Sequence, residues 1–207
     1  MTPDGRIAPF ASAARAFARQ VADIADDRWD GPGLGEWDLR SLVGHTSRAL
    51  VTVSTYLQTT AEREDIATAE EYYVRIKAAA VGADSSAIVE RGRQAGIDLG
   101  DDPAATVDGL VDRVLGELAE ADDPLIQVIG GLGIRLHSYL PTRTFELAVH
   151  GLDISRAVGI PLALPADVLE ETTTMAARTA VAAGQGETLL LALTGRGELP
   201  PSFSIVV

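Results

Sequence analysis

Residues 141–159 read PTRTFELAVHGLDISRAVG, and this stretch limits the possible folds more than any other. Pro141 suits the opening of a helix, and Gly159 with Pro161 suits its end. Arg143, Glu146, His150 and Asp153 follow one another at steps of three, four and three, which places them in a single line along that helix. Phe145, Leu147, Val149, Leu152 and Ile154 cover most of the remaining circumference. A helix that is apolar on most sides must be surrounded by other elements. A charged line running along it must then be paired, solvated or bound to something.

The surrounding elements also read as helices. Ile7 to Ala25 is amphipathic, with Phe10, Ala14, Phe17, Val21 and Ile24 at three- and four-residue steps. Asp30 to Gly35 forms a glycine- and proline-rich loop, Trp37 follows it, and Asp38 is a suitable N-cap for a helix from Leu39 to Ala61. Shorter helices are expected over Ala69 to Ala80 and Ser85 to Gln94, and a longer one over Pro103 to Ala121. Leu125 to Tyr139 differs in kind: Gly130, Gly131 and Gly133 lie among branched residues, which predicts an extended or hairpin excursion. Asp167 to Ala183 and Thr188 to Leu193 read as further helices, before a short apolar tail from Phe203 to Val207. Few aromatics and abundant Ala and Leu agree with an all-α chain.

Composition removes several functions. Seventeen basic against thirty acidic residues leave a net charge of −13, with no cluster of Lys and Arg to grip a phosphate backbone or an anionic membrane. The absence of cysteine excludes disulfides, thiolate metal sites and a cysteine nucleophile. Met1 to Phe10 lacks the apolar core of a signal peptide, and no run approaches the roughly 18–20 apolar residues of a membrane span, so a cytoplasmic location is expected. Gly130–Gly133 lacks the Lys–Ser/Thr of a phosphate loop, and no Gly-x-Ser-x-Gly elbow is present.

Glu146 and His150 are one turn apart, so a carboxylate oxygen and an imidazole nitrogen can reach one ion together. His45 sits about 110° from the centre of the apolar stripe of its own helix, at the edge of the buried face, and is the natural third donor. Three protein ligands with open positions would suit a catalytic metal. The spacing alone is equally met by an exposed helical Glu/His pair. His137 reads as a cleft-wall or surface residue, and Trp37 as a core anchor with substrate stacking as the other reading.

Two blocks carry a family resemblance. GPGLGEWDLRSLVGHTSRAL (Gly31–Leu50) and YLPTRTFELAVHGLDISRAVGIP (Tyr139–Pro161) resemble the loop-and-helix block and the Arg–Glu–His–Gly-x-Asp-Ile block of the mycothiol-dependent maleylpyruvate isomerase group. The resemblance implies an all-α, DinB-like four-helix bundle over residues 1–161, with a C-terminal helical extension over 162–207 packed upon it. It implies a divalent metal on His45, Glu146 and His150: zinc first, with nickel, iron or manganese as alternatives. Arg143 would pair with Glu146 or meet an anionic substrate, and Asp153 would orient an imidazole. The chemistry implied is that of an isomerase or S-transferase, in which the thiolate of mycothiol or another low-molecular-weight thiol attacks a small electrophile. A non-catalytic metal-binding or regulatory module and a metal-dependent hydrolase are the alternatives. The expected partners are the thiol and the electrophile, without nucleic acid or membrane, and a homodimer is left open. Gly44 stands where family members often carry Ala.

Overall fold

The protein was analysed as a computed structural model, which describes residues 3–80 and 86–206. Eight α-helices run through the described residues: α1 (Pro3–Ala22), α2 (Leu39–Leu57), α3 (Ala69–Ala80), α4 (Ser86–Ile97), α5 (Pro103–Glu120), α6 (Leu136–Val158), α7 (Ala166–Ala182) and α8 (Gly186–Leu193). Strands β1 (Leu125–Gln127) and β2 (Gly133–Arg135) form an antiparallel hairpin between α5 and α6, with Ile126 opposite Ile134. The expected all-α class and the hairpin excursion are both present. The expected start of the fourth helix, Ser85, lies outside the described residues.

Helices α1, α6, α2 and α5 close a ring in which each packs on two neighbours. Phe10, Phe17, Leu42, Leu50, Val53, Val114, Leu118 and Leu140 fill its centre. Helix α4 lies on the outside of α2, and α3 lies on α6. Helix α7 packs against α1, α3 and α6, and α8 packs against α7 alone among the principal contacts of the described residues. In the apolar tail, Ile205 and Val206 rest against the core, and the Lys77 ammonium donates to the Ser204 carbonyl at 2.8 Å. Val207 lies outside the described residues. Among the described residues, no helix is long and apolar enough to cross a membrane.

Glycines set the outer packing. The loop before α2 folds back on its N-terminus: Gly33 N–H donates to Trp37 C=O at 2.9 Å, and Leu39 N–H donates to Gly31 C=O at 2.8 Å. A Cβ on Gly33 would overlap the Asp38 carbonyl. Asp38 caps α2 as expected, its carboxylate accepting from Ser41 N–H at 2.7 Å. Gly44 of α2 faces Gly96 of α4 so closely that a Cβ on Gly44 would overlap the Gly96 backbone nitrogen. Helix α4 continues through Gly96 to Ile97, beyond the expected end at Gln94. Gly96 is part of the crossing.

Two boundaries depart from expectation for physical reasons. Helix α2 ends at Leu57 and not at Ala61, because the Thr59 hydroxyl turns back to the Tyr56 carbonyl at 2.6 Å and also accepts from Gln127 N–H of β1 at 2.9 Å. Helix α6 begins at Leu136 and not at Pro141. Its first amides find partners across the hairpin: Leu136 N–H donates to the Pro124 carbonyl at 3.0 Å, and His137 N–H to the Asp123 carboxylate at 2.8 Å. Pro141 therefore falls in the second turn, where its missing N–H forfeits a bond to the His137 carbonyl. The helix stops at Gly159, whose φ of 75° is the left-handed conformation that glycine takes without strain.

Candidate metal centre

His45 comes from α2, and Glu146 and His150 from α6, which packs against it. One donor atom from each of the three lies within 4.8 Å of the others. The His150 Nε2 to Glu146 Oε2 distance is 3.3 Å. Donors placed 2.0–2.2 Å from a tetrahedral ion are separated by roughly 3.3–3.6 Å, so modest side-chain adjustment brings this set onto one centre. His45 lies at the border of the buried face of α2, as its place on the helical wheel predicts.

Each α6 donor is held by a second group. His150 Nδ1–H donates to Asp153 Oδ2 at 3.2 Å, which turns Nε2 towards Glu146, and Asp153 Oδ1 accepts from Arg156 at 3.1 Å. Glu146 Oε1 accepts from the Tyr73 hydroxyl of α3 at 2.7 Å. The Thr142 carbonyl, 3.0 Å from the same hydroxyl, competes for its single proton. The Arg143 guanidinium lies 4.0 Å from Glu146 Oε1, with its Cζ over the rings of Tyr139 (4.9 Å) and Tyr72 (5.7 Å). His45 differs: neither ring nitrogen makes a hydrogen bond among the described residues, and its Nδ1 is buried. Its ring lies against Trp37, with centroids 4.4 Å apart and planes 31° apart, and meets His150 edge-on at 5.0 Å.

The electrostatics separate the three donors. Burial works against the Glu146 carboxylate, but the hydrogen bond from His150 and the charge of Arg143 outweigh it and hold the group down at about 2. Burial also works against charged His150, but Asp153 and Glu146 outweigh it and raise the imidazole to about 9. His45 is lowered to about 4, by burial first and by neighbouring His150 second. Near neutral pH the metal-free site therefore holds an ionised carboxylate, a protonated His150 and a neutral His45. The two oppositely charged groups shield each other, and the neutral imidazole is ready to donate.

His150 must shed its proton before Nε2 can bind an ion. Because its folded-state pKa lies above the ordinary value of 6.5, the pairing stabilises the metal-free fold fully below about pH 6.5, and that contribution is lost as pH rises through about 9. Zinc binding at about pH 7.5 is thus expected to release about one proton per ion and to weaken as pH falls. Calorimetry in buffers of different ionisation enthalpy measures this. An unchanged binding heat across buffers would show that His150 is not displaced from its proton.

Asp153→Asn keeps the shape but removes the charge that orients and polarises His150. A loss of roughly 10–100-fold in zinc affinity is expected, as for other outer partners of ligating histidines. Competition with a chelating dye measures it, and an unchanged constant would remove Asp153 from the site.

A cavity of about 180 Å³ opens beside the triad. His45, Arg48, Tyr56, Tyr73, Tyr139, Arg143 and Glu146 are among its walls. A larger one, about 480 Å³, lies between α1, α3, α6 and α7, contains none of the three donors, and is lined by Glu70, Asp167, Glu170 and Glu171 among others. Chemistry and not size points to the smaller cavity.

The three expected ligands, His45, Glu146 and His150, lie together with Arg143 and Asp153. His137 does not: it sits in the first turn of α6, its Nδ1 3.6 Å from Asp123, with a side chain only 9% exposed. Trp37 is half-buried against the core and spends its face on His45. Sequence reasoning missed Tyr73, Tyr72 and Tyr139. The available signal was Tyr73 itself, since a tyrosine on the inner face of an amphipathic helix needs a partner for its hydroxyl.

Residues 10–155 match the family model described as the mycothiol maleylpyruvate isomerase N-terminal domain. No curated protein and no solved structure matches the chain.

Proposed function

The chain belongs to the mycothiol maleylpyruvate isomerase N-terminal domain family, and on that premise we propose that it is a metal-dependent enzyme acting on a small electrophile with mycothiol or another low-molecular-weight thiol, as an isomerase or S-transferase. The observation that supports this most is the convergence of two imidazoles and one carboxylate, of which His45 and Glu146 line a small cavity. The donor set fits a divalent ion of the borderline kind, zinc first, because it offers nitrogen and oxygen without sulfur.

His45, Glu146 and His150 are the residues that hold the ion, and three protein ligands leave room for a thiol. When bound, such an ion supplies the Lewis acidity that brings a thiol pKa towards neutrality. Asp153 fixes the tautomer of His150 so that Nε2 faces inward. Tyr73 holds the Glu146 carboxylate, and Arg143 keeps it ionised. Arg143 lines the cavity, and its charge suits an anionic group on the electrophile. Tyr56, Tyr72, Tyr73 and Tyr139 form much of the cavity wall. A reducing cytoplasm, where small thiols stay reduced, suits this chemistry and a chain without cysteine.

The test is turnover by the zinc-loaded protein of a small activated alkene or haloalkane, with mycothiol present and omitted, and with the metal stripped. Turnover that needs both metal and thiol supports the proposal. Metal-dependent loss of halide from the haloalkane without thiol would make the protein a hydrolase using activated water. Metal binding without turnover for any thiol would make it a binding module.

A further inference from the structure

The two histidines of the site are held in different ways. His150 has Asp153 on its Nδ1, whereas His45 has no hydrogen bond at either nitrogen among the described residues. A ligating imidazole ordinarily has its second nitrogen tied to a carboxylate, a carbonyl or water, which fixes the ring plane. In His45 the contact that can fix that plane is the indole of Trp37, 4.4 Å away and tilted by 31°.

The residue is itself clamped in three ways. Its Nε1–H donates to the Val89 carbonyl of α4 at 2.9 Å. The same edge of the indole, at Cε2, Nε1 and Cζ2, rests against Gly92 of α4, where a Cβ would lie 2.5 Å from Cε2 and Nε1. The Trp37 backbone is pinned by Gly33 N–H at 2.9 Å and by its own N–H to the Leu34 carbonyl at 3.0 Å. A half-buried side chain thus receives a dedicated hydrogen bond, a glycine seat and a locked backbone, and presents one free face to a ring without polar support.

We propose that Trp37 is a positioning residue for the metal centre, setting the plane of His45 by stacking in place of the missing hydrogen bond, and that α4 acts on the site through Trp37. The inference rests on the metal-binding reading above. It separates α4 from the donors: α4 supplies no ligand, yet its Val89 carbonyl and Gly92 decide where the His45 nitrogen points.

The test compares Trp37→Leu with wild type and with Trp29→Leu. Trp29 is also buried and packs beneath Arg40, but has no ring contact with His45, so its loss reports on stability alone. Cobalt(II) is added to each full-length protein, and the visible ligand-field spectrum and dissociation constant are recorded well below the unfolding temperature. For Trp37→Leu a shifted, weaker spectrum and at least about tenfold weaker binding are expected. Trp29→Leu should lower the unfolding midpoint while keeping the wild-type spectrum and constant. Should Trp37→Leu not fold, Trp37→Met, which keeps bulk without an aromatic face, takes its place. Gly92→Ala, which pushes the indole from outside, is expected to shift the spectrum in the same sense. A wild-type spectrum and constant in the Trp37 variant would overturn the inference and leave the metal centre standing. Failure of the wild type itself to bind cobalt or zinc would overturn both.

Discussion

His150→Ala is expected to lose stoichiometric metal while remaining folded. The substitution removes one of three donors, and with it the group that bridges Glu146 to Asp153. Loss of an outer partner costs roughly 10–100-fold in affinity, and loss of a donor should exceed that, which takes the variant below occupancy at micromolar protein. The fold survives because neither carboxylate is left alone. Glu146 keeps the Tyr73 hydroxyl and the nearby Arg143 charge, and Asp153 keeps Arg156. Residual pairing limits the cost to about 1–3 kcal/mol, the range for a lost hydrogen-bond partner, against a total stability of about 5–15 kcal/mol. Elemental analysis of the untagged variant beside wild type measures the first claim and circular dichroism the second. About one zinc per chain in both proteins would remove His150 from the ligand set.

Gly44→Ala is expected to destabilise the protein, against the direction that helix propensity gives. Propensity favours alanine by about 1 kcal/mol inside a helix. The added methyl, however, would overlap the backbone of α4 at Gly96 and Ala95, where no side chain can rotate away. Overpacking of this kind costs about 1–3 kcal/mol, and more when rigid backbone must move, so the steric effect exceeds the propensity gain. Gly44→Val should cost more still. Denaturant titration gives the sign directly, and a midpoint at or above wild type would mean that α4 can move away freely.

Both substitutions bear on what a reader of the sequence can and cannot see. The line Arg143–Glu146–His150–Asp153 is visible because a helix turns it into a stripe, and His45 is visible because an apolar wheel has an edge. Those two facts make the donors candidates, and it is the family resemblance that singles them out from an ordinary helical Glu/His pair. What supports the donors is invisible for a single reason: it arrives from elsewhere in the chain. Tyr73 reaches Glu146 from α3, and Trp37 acquires its meaning only when α4 settles on α2. Local rules favour proline in a first turn and so place the start of α6 at Pro141, while the decisive amides of Leu136 and His137 are satisfied by Pro124 and Asp123. Gly44 and Gly96 read as weak points in two helices until their crossing brings them together.

The same cross-hairpin contact divides α6 into two parts with different exchange behaviour. The amides of Leu136 and His137 end on acceptors that precede β1, so their protection against deuterium belongs to the cooperative unit that opens with the hairpin. The amides around Glu146 and His150 lie two to four turns farther along, in the part of the helix packed against α1 and α2. A fluctuation that unzips the hairpin is therefore expected to fray one end of α6 and to stop short of the donors. Because Ile129 of the glycine-rich excursion lines the cavity beside His45 and Glu146, such breathing would change that cavity while the donors keep their places on α2 and α6.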